Sequence, residues 1–352
     1  MHALAMRREN FRMPREAALA VLARAPTVHL ATTTPDGRPV LRALDFALDG
    51  DSAVFHGARA GEKAACLGRP AVISAEERVA FVPSHWLDPV RACPASTLYR
   101  SVQVHGTLQE VTDLAEKARA LEALMRKWQP EKKYRPIDPS DPTYTGELKG
   151  VLVFRLPFEQ VDGKEKLAQN RPATDRLALL EGLWRRGEPG DVEAIEAIRT
   201  ACPDTPVPAF LAGPPGVTLH AALPAEAIAE TTPLLQDTYW WKDRRSELIP
   251  IVHRRATAWV GAKDEAGRLV ASARAMSDGW TAWIYDVIVA PERRGGGLGK
   301  RIVELLLDHP ALRETPLVWL KTRDAQGLYA RYGFVSAEGR PNIGEAMVRV
   351  RG

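Results

Sequence analysis

Short segments in which apolar and polar residues alternate fill much of the first half of the chain. This period of two is typical of strands with one buried face, and the run Pro-Asp-Gly-Arg-Pro at 35–39 has the composition of a hairpin turn. Helical spacing of apolar residues occurs at 14–24 and 114–128. The remaining pattern predicts a short helix at 58–67 and strands at 27–34, 40–48, 52–56, 71–74, 98–110 and 149–156. This order favours a small β-barrel with helical attachments.

The pattern changes after a segment rich in proline. Residues 174–201 predict two helices broken at 187–190, and residues 203–217 carry five prolines and two glycines, a composition that favours a semi-rigid linker. Beyond the linker the pattern predicts helices at 224–239, 243–254, 298–307 and 325–332, and strands at 258–262, 269–275, 280–289, 317–321 and 346–350. We therefore expect an N-terminal domain over 1–202, a linker over 203–217 and a C-terminal α+β domain with a mixed central sheet over 218–352.

Composition and charge narrow the function classes. The chain has 352 residues with 45% hydrophobic and 26% charged residues, enough for two domains with cores. No apolar run reaches the ~18 residues of a membrane span, and the N-terminus lacks the apolar stretch of a secretory signal. Cys66, Cys93 and Cys202 have no metal-ligand spacing, so we expect a reduced cytoplasmic protein without a metal site.

The net charge of +4 comes entirely from residues 1–172, which include 25 basic and 21 acidic residues. The rest of the chain has 23 of each. With no basic tail and no helix-turn-helix pattern, a dedicated nucleic-acid binder is disfavoured, whereas small polyanions such as nucleotides remain possible ligands.

Residues 283–300 combine an apolar strand, a glycine-rich turn and the start of a helix. The amides of such a turn, with the first unpaired amides of the helix, form a cradle for an anion. The segment matches neither the Walker pattern nor the dinucleotide fingerprint. What it contains is Arg294-x-x-Gly297-x-Gly299.

This pattern resembles the acyl-CoA pyrophosphate loop of the GNAT superfamily of N-acetyltransferases. A second element supports the resemblance, because Leu328-Tyr329-x-x-x-Gly333-Phe334 is similar to the superfamily's later helix and turn. The resemblance covers about 217–352 and implies direct transfer of an acetyl group from acetyl-CoA to a small-molecule amine. It implies these donor-binding residues: Val287, Ile288, Val289, Arg294, Gly295, Gly296, Gly297, Leu298, Gly299 and Lys300.

The same resemblance implies two catalytic residues. Tyr329 would protonate the departing thiolate, and Asp286 would orient or deprotonate the amine. The alternatives are that Tyr329 only packs and that Asp286 is a partly exposed carboxylate paired with Arg274. Packing is also the favoured role for the tryptophans, although an apolar acceptor pocket is the alternative, and His253 is expected to be solvated. The tryptophans concerned are Trp240, Trp241, Trp259, Trp280 and Trp283.

The N-terminal half carries His-Leu-Ala-Thr-Thr-Thr-Pro-Asp-Gly from 29, Phe-His-Gly-Ala-Arg-Ala-Gly-Glu-Lys from 55 and Tyr-Arg-Ser-Val-Gln-Val-His-Gly from 99. These segments resemble the FMN-binding split barrels of the pyridoxamine-5′-phosphate-oxidase-like superfamily, in its nitroimidazole-reductase and PaiB-type branches. The run Lys-Leu-Ala-Gln-Asn-Arg at 166–171 is similar to one that ends PaiB-type barrels. The resemblance covers about 10–200.

A homodimer that binds FMN at its interface is what this resemblance implies. Arg42 and Lys63 would neutralise the flavin phosphate, and Ser101 and Gln103 would reach the ring from the partner subunit. Backbone groups at the isoalloxazine edge would come from Ala43, Leu44, Asp45, Phe55 and His56.

Alternatives for the barrel are haem, a deazaflavin or no cofactor, since the long loop 83–97 could displace flavin and no spacing selects an axial ligand among His29, His56, His85 and His105. We expect a bifunctional enzyme, with a sensor or transcription-linked regulator as the alternative and a cofactor-free dimerisation scaffold as a third reading. The sequence does not identify the amine.

Overall fold

The computed structural model of the protein describes residues 8–242 and 245–337. The chain divides into two compact units, one formed by Met1–Gly182 with Ala197–Pro206 and the other by Leu183–Glu196 with Val207–Gly352. Residues 183–196 belong to the second unit although they precede the linker expected at 203–217. The domain boundaries expected from the sequence, at residues 202 and 217, remain a prediction.

The first unit is a barrel of short antiparallel strands with helices attached. Its strands form two sheets with the orders β2-β1-β5-β6-β9 and β3-β4-β8-β7. Its elements are α1 (Arg15–Arg24), β1 (Thr27–Thr33), β2 (Pro39–Asp45), β3 (Ala47–Leu48), β4 (Ser52–Gly57), α2 (Glu62–Ala65), β5 (Pro70–Val82), β6 (Ser96–Thr107), β7 (Gln109–Glu110), α3 (Leu114–Trp128), α4 (Pro142–Gly150), β8 (Leu152–Pro157) and β9 (Gln160–Lys166). Two further helices, α5 (Ala173–Arg186) and α6 (Asp191–Ala201), each have residues in both units.

Strict alternation builds the barrel core. In β1, Val28 and Leu30 are buried while the alternating residues His29 and Ala31 are exposed. Buried side chains from both sheets and from α1 form an apolar cluster inside the barrel, whose burial favours its closure. Its large members include Leu22, Phe46, Phe55, Ile73, Val102 and Phe154.

Three predicted elements of this unit are wrong in their limits. The strand expected at 40–48 is broken at Phe46, which enters the core while the chain passes from one sheet to the other. The strand expected at 71–74 continues to Val82, because the charged residues after Ser74 fit the strand, with Glu76 and Arg78 exposed and Glu77 between them half-buried. The helix expected at 58–67 is reduced to Glu62–Ala65.

Two further elements, α4 and β9, were not expected from the pattern. β9 is rich in polar residues, yet its Gly163 lies so close to α1 that an added Cβ would come within 2.6 Å of the Ala18 side chain. Close packing on a glycine, rather than alternation, holds this strand in place.

The second unit is an α+β fold around a five-stranded sheet in the order β10-β11-β12-β13-β14. Its pairs are antiparallel apart from β13 with β14, which is parallel, so the sheet is mixed as expected. The elements are β10 (Val217–His220), α7 (Ile228–Gln236), α8 (Ile249–Arg254), β11 (Ala258–Asp264), β12 (Leu269–Ser277), β13 (Thr281–Val289), α9 (Leu298–Leu307), β14 (Leu317–Trp319) and α10 (Gln326–Tyr329).

Helices cover both faces of this sheet. The helix α9 matches its predicted limits and packs Ile302, Val303 and Leu306 against β11, β12 and β13. On the other face, α7 and α8 contact β13 through a cluster of buried residues that includes Leu235, Trp241, Ile249 and Ile288. The predicted helix at 243–254 is regular only from Ile249, and the strand expected at 346–350 lies outside the described residues.

Within the described parts of the chain, we find no helix with both the length and the apolar character needed to cross a membrane.

Candidate functional site

The second unit opens a gap between two neighbouring strands. β14 pairs with only the first three residues of β13, from Thr281 with Leu317 to Trp283 with Trp319. Beyond Trp283 the edge of β13 has no strand partner on that side among residues 8–242 and 245–337. The backbone of residues 284–288 is therefore available along this edge, in the described chain, to bind an extended ligand.

This edge of β13 leads directly into the glycine-rich turn before α9. Gly295 and Gly297 have φ of +83°, a conformation that favours glycine, and Gly297 caps α9. An added Cβ at Gly295, Gly296 or Gly297 would meet no heavy atom within 4 Å, so the turn borders open space. Within the described chain, the amides of these three glycines donate no hydrogen bond to a backbone carbonyl. The turn can thus present amides to an anion at the positive end of a ten-residue helix.

The two cations predicted beside this turn are both exposed. Arg294 Nε donates to the carbonyl oxygen of Val289 at 3.1 Å, so this carbonyl is occupied in the conformation described. The side chain of Arg294 therefore connects the end of β13 to the turn, and Lys300 lies in the first turn of α9.

Asp286 occupies a bulge in β13. Ser272 pairs with Ile288 and Arg274 with Tyr285, so two residues of β13, Asp286 and Val287, lie opposite one residue of β12. Asp286 has a φ of +53°, which costs a non-glycine residue ~1–3 kcal/mol. Neighbouring contacts must therefore hold it in this conformation.

Three donors surround the Asp286 carboxylate, which is buried. Oδ1 accepts from the indole N–H of Trp241 at 2.7 Å and of Trp240 at 3.1 Å, and Oδ2 accepts from Arg274 Nε at 2.6 Å. Pairing with Arg274, one of the two expected roles, is confirmed, but the carboxylate is not partly exposed as that reading supposed. No sequence signal placed both indoles on this carboxylate.

Tyr329 lies at the end of α10 and is also buried. Burial, with a smaller contribution from Tyr239, raises the pKa of its phenol to about 12, so the phenol keeps its proton at neutral pH. Its ring makes an edge contact with Phe334, 5.8 Å between centroids. Tyr239 also accepts a hydrogen bond from the Arg323 amide at 3.2 Å, which ties the segment after α7 to the segment before α10.

Two expectations about side chains near this region need correction. His253 is buried rather than solvated, because its Nδ1 approaches the Ile249 carbonyl within α8 and its ring packs edge-on against Trp259. Burial lowers the pKa of this imidazole. Packing was the favoured role for the five tryptophans. Trp241 and Trp259 are buried, but Trp280 is 71% exposed and so does not pack in the core.

In the barrel unit the two predicted phosphate-binding cations converge on α2. Arg42 of β2 forms an ion pair with Glu62, the residue before Lys63. An added Cβ at Gly57 would lie 3.1 Å from Lys63 Nζ, so the glycine gives the ammonium room beside the end of β4. Glu62 offsets one of the two positive charges.

The predicted flavin-edge segments lie on open strand edges. Residues 43–45 belong to β2, which is an edge strand, and the β3 pairing with β4 stops at Val54, before Phe55 and His56. The Phe55 side chain is in the core, stacked on Phe154, so only its backbone is available. Ser101 and Gln103 share the outer face of β6, where Ser101 is half-buried and Gln103 exposed.

Two family models match the chain. Residues 14–165 match the model of pyridoxamine 5′-phosphate oxidase, and residues 220–334 match that of the acetyltransferase (GNAT) family. The chain carries a pyridoxamine 5′-phosphate oxidase-like domain followed by a GNAT acetyltransferase domain. The GNAT model includes the gap between β13 and β14, the glycine-rich turn and Tyr329.

Curated relatives of the GNAT domain include an uncharacterized N-acetyltransferase, ycf52, of Pyropia yezoensis, which is 30% identical over 106 residues. That match covers 29% of this chain, and the chain spans 61% of the length of the relative.

Solved structures similar to either domain also exist. An acetyltransferase of the GNAT family from Xanthomonas campestris pv. campestris is 36% identical, with 39% of this chain and 96% of that chain covered and a TM-score of 0.33. A 5-nitroimidazole antibiotic resistance protein from Bacteroides thetaiotaomicron is 20% identical, with 47% of this chain and 95% of that chain covered and a TM-score of 0.35.

Proposed function

We propose that the GNAT domain transfers the acetyl group of acetyl-CoA directly to the amine of a small molecule. The observation that carries the proposal is the departure of β13 from β14 after Trp283, followed by a turn with unpartnered amides at Gly295–Gly297. In this proposal the free edge of β13 binds the pantetheine arm and the turn binds the pyrophosphate. Val287 and Ile288 contribute backbone groups only, since the Ile288 side chain belongs to the core.

The bulge at Asp286 and Val287 supports the acyl-transfer step. A bulge leaves backbone groups outside the strand ladder, and an unpaired amide stabilises the oxyanion that develops when an amine attacks a thioester. Asp286, held by three donors, fixes the bulge. We therefore favour a positioning role for Asp286 over proton abstraction, and the role as a base stays an untested prediction.

Tyr329 supports the departure of CoA in this proposal. Attack by the amine forms a C–N bond and breaks the C–S bond; the nitrogen releases one proton to water, and the departing thiolate takes up one proton. A phenol that stays protonated through neutral pH can supply this proton.

The experiment for this half is a thiol-release assay with acetyl-CoA and a panel of small-molecule amines. We expect thiol release that depends on one class of amine and gives the acetylated amine by mass spectrometry. Thiol release that is equally fast without any amine, across the whole panel, would contradict the transferase proposal.

For the other half we propose that the oxidase-like domain binds FMN in a homodimer and acts as an oxidoreductase. The open edges at 43–45 and 55–56 and the convergence of Arg42 and Lys63 on α2 support this. The neighbouring Leu41 is 62% exposed, which fits an edge strand that meets a second copy. Bound flavin supplies one- or two-electron transfer; the protein residues bind its phosphate and orient its ring.

Absorbance of the purified full-length protein tests the cofactor. Flavin bands that copurify with the protein, or develop on titration with FMN, are expected. A Soret band instead would favour haem, and a spectrum unchanged by FMN would contradict the flavin proposal and favour a dimerisation scaffold.

A further inference from the structure

The run Lys-Leu-Ala-Gln-Asn-Arg at 166–171 has no place in the flavin or acetyl-CoA chemistry described above. It borders a cavity of about 220 Å³ in the barrel unit, at the ends of β6 and β9. This volume is several times the ~30 Å³ share of a water molecule and below the ~300–1,000 Å³ of pockets for large ligands. The cavity therefore has the size for one small polar group with a short organic part.

The charge of the cavity wall is one-sided. Lys166 and Arg171 line it, together with the polar side chains of Ser96, Asn170 and Cys93, and none of its lining residues is acidic. The apolar residues Val82, Leu98 and Leu179 complete the wall. A partly enclosed wall with two cations favours an anionic ligand.

The turn that presents these residues is tightly held by its own side chains. Gln169 Oε1 accepts from the Leu167 amide at 2.6 Å, and Gln169 Nε2 donates to the Glu165 carbonyl at 3.1 Å. Ala168 has a φ of +69°, which is unfavourable for a residue with a Cβ, and its carbonyl accepts from the Arg171 amide at 2.9 Å. The turn therefore holds the backbone of Lys166 and Arg171 rigidly beside the cavity.

Both cations keep donors available for a ligand. Lys166 Nζ donates to Ser96 Oγ, which leaves two of its three protons and directs the hydroxyl proton of Ser96 to another acceptor. Arg171 donates to the Pro94 carbonyl at 2.9 Å, and its contact with Asp175 is long, at 3.9 Å. Most of its five N–H groups remain free of these contacts.

We propose that Lys166, Arg171 and the hydroxyl of Ser96 form a binding site for a small oxoanion, the carboxylate or phosphate of a metabolite. The site lies in the barrel unit and is independent of the acetyl-CoA and flavin proposals.

Cys93 provides a reporter for this site. It lines the cavity and is exposed, whereas Cys66 and Cys202 are buried. The experiment measures, by mass spectrometry on the full-length protein, how fast Cys93 reacts with anionic iodoacetate and with neutral iodoacetamide. The ratio of the two rates reports how strongly the cavity attracts a carboxylate, and any general change in thiol reactivity cancels.

Lys166→Gln should lower this ratio by about fivefold or more, because it removes a charged hydrogen bond to the anion. Lys166→Arg should keep the ratio within about twofold of wild type. Lys164→Gln, two residues earlier on β9, removes the same charge from a half-buried residue that does not line the cavity. It should also leave the ratio within about twofold, since solvent and salt screen a charge outside the cavity.

Added inorganic phosphate and acetate distinguish the two kinds of oxoanion. Stronger protection of Cys93 from iodoacetate by phosphate supports a phosphate site, and stronger protection by acetate supports a carboxylate site. Protection by neither anion, or an equal loss in Lys166→Gln and Lys164→Gln, would overturn the proposal. A thermal melt of each variant identifies any loss of folding, and the Lys166→Arg result separates charge from packing.

Discussion

Replacing Asp286 with asparagine tests whether this carboxylate holds the bulge of β13. The Arg274 and Asp286 side chains are 8% and 5% exposed, so the pair is buried. Asparagine keeps the size but cannot accept from both indoles and from Arg274, and the guanidinium would be left buried without its counter-charge. Losing one partner of a buried pair costs ~3–5 kcal/mol. For a domain of this size that lowers the melting temperature by roughly 6–20 °C.

The assay is urea and thermal unfolding followed by tryptophan fluorescence, since Trp240 and Trp241 contact the altered group. Glu247→Gln is the matched control, because it removes the same charge from an exposed pair with Arg245 and should leave the transition unchanged. Adding Arg274→Met to Asp286→Asn should restore part of the lost stability, because the unpaired charge is gone. A transition of Asp286→Asn that coincides with the Glu247→Gln control would refute the anchoring role.

Three other substitutions test the remaining roles. Gly297→Glu should abolish acetyl-CoA binding, measured by calorimetry, because it adds a negative charge to the turn and strains a backbone with a φ of +83°. Gly297→Ala, which adds no charge, should weaken binding by about tenfold or less. Retained binding in Gly297→Glu would remove the turn from the proposed site. Tyr329→Phe should lower turnover with little change in acetyl-CoA affinity. Because the phenol keeps its proton below a pKa of about 12, wild-type turnover should not lose its proton donor as the pH rises from 7 to 10; unchanged turnover in the variant would leave Tyr329 a packing residue. Lys63→Gln should weaken FMN binding, followed by flavin absorbance, by about tenfold, and Lys149→Gln, on α4, is the charge-matched control; equal affinities would separate Lys63 from the flavin phosphate.

The features predicted from the sequence are those with local causes. The limits of α3 and α9 follow from helical spacing of apolar residues, and the glycine-rich turn follows from residues that permit positive φ. The separation of two domains could be predicted because a proline-rich segment cannot continue a helix or a central strand. The position of the glycine-rich turn after an apolar strand could also be predicted, because the two segments are adjacent in the sequence.

Features that depend on distant contacts were not visible. The two indoles on Asp286 come from residues 45 and 46 positions away, and no periodicity encodes such a contact. His253 looked like a solvated residue at the end of an apparent helix, but Trp259 of the next strand covers it. The strand β9 could not be predicted because most of its residues are polar. Its contact with α1 is made at Gly163, which has no side chain and so gives no apolar signal in the sequence.

The cavity beside residues 166–171 shows the same limit in the barrel unit. The sequence presented these residues as a recognisable run, but Ser96 is 70 positions from Lys166 and Pro94 is 77 positions from Arg171. Only the pairing of β6 with β9 brings these groups together.

The central claim is that the amides of the turn before α9 bind the pyrophosphate of acetyl-CoA. The most direct measurement is a titration of the full-length protein, labelled with ¹⁵N in its 26 glycines, with acetyl-CoA followed by amide chemical shifts. We predict that the largest saturable shifts belong to Gly295, Gly296, Gly297 and Gly299. Saturable binding that leaves these four amides unshifted, while glycines elsewhere respond, would contradict the account.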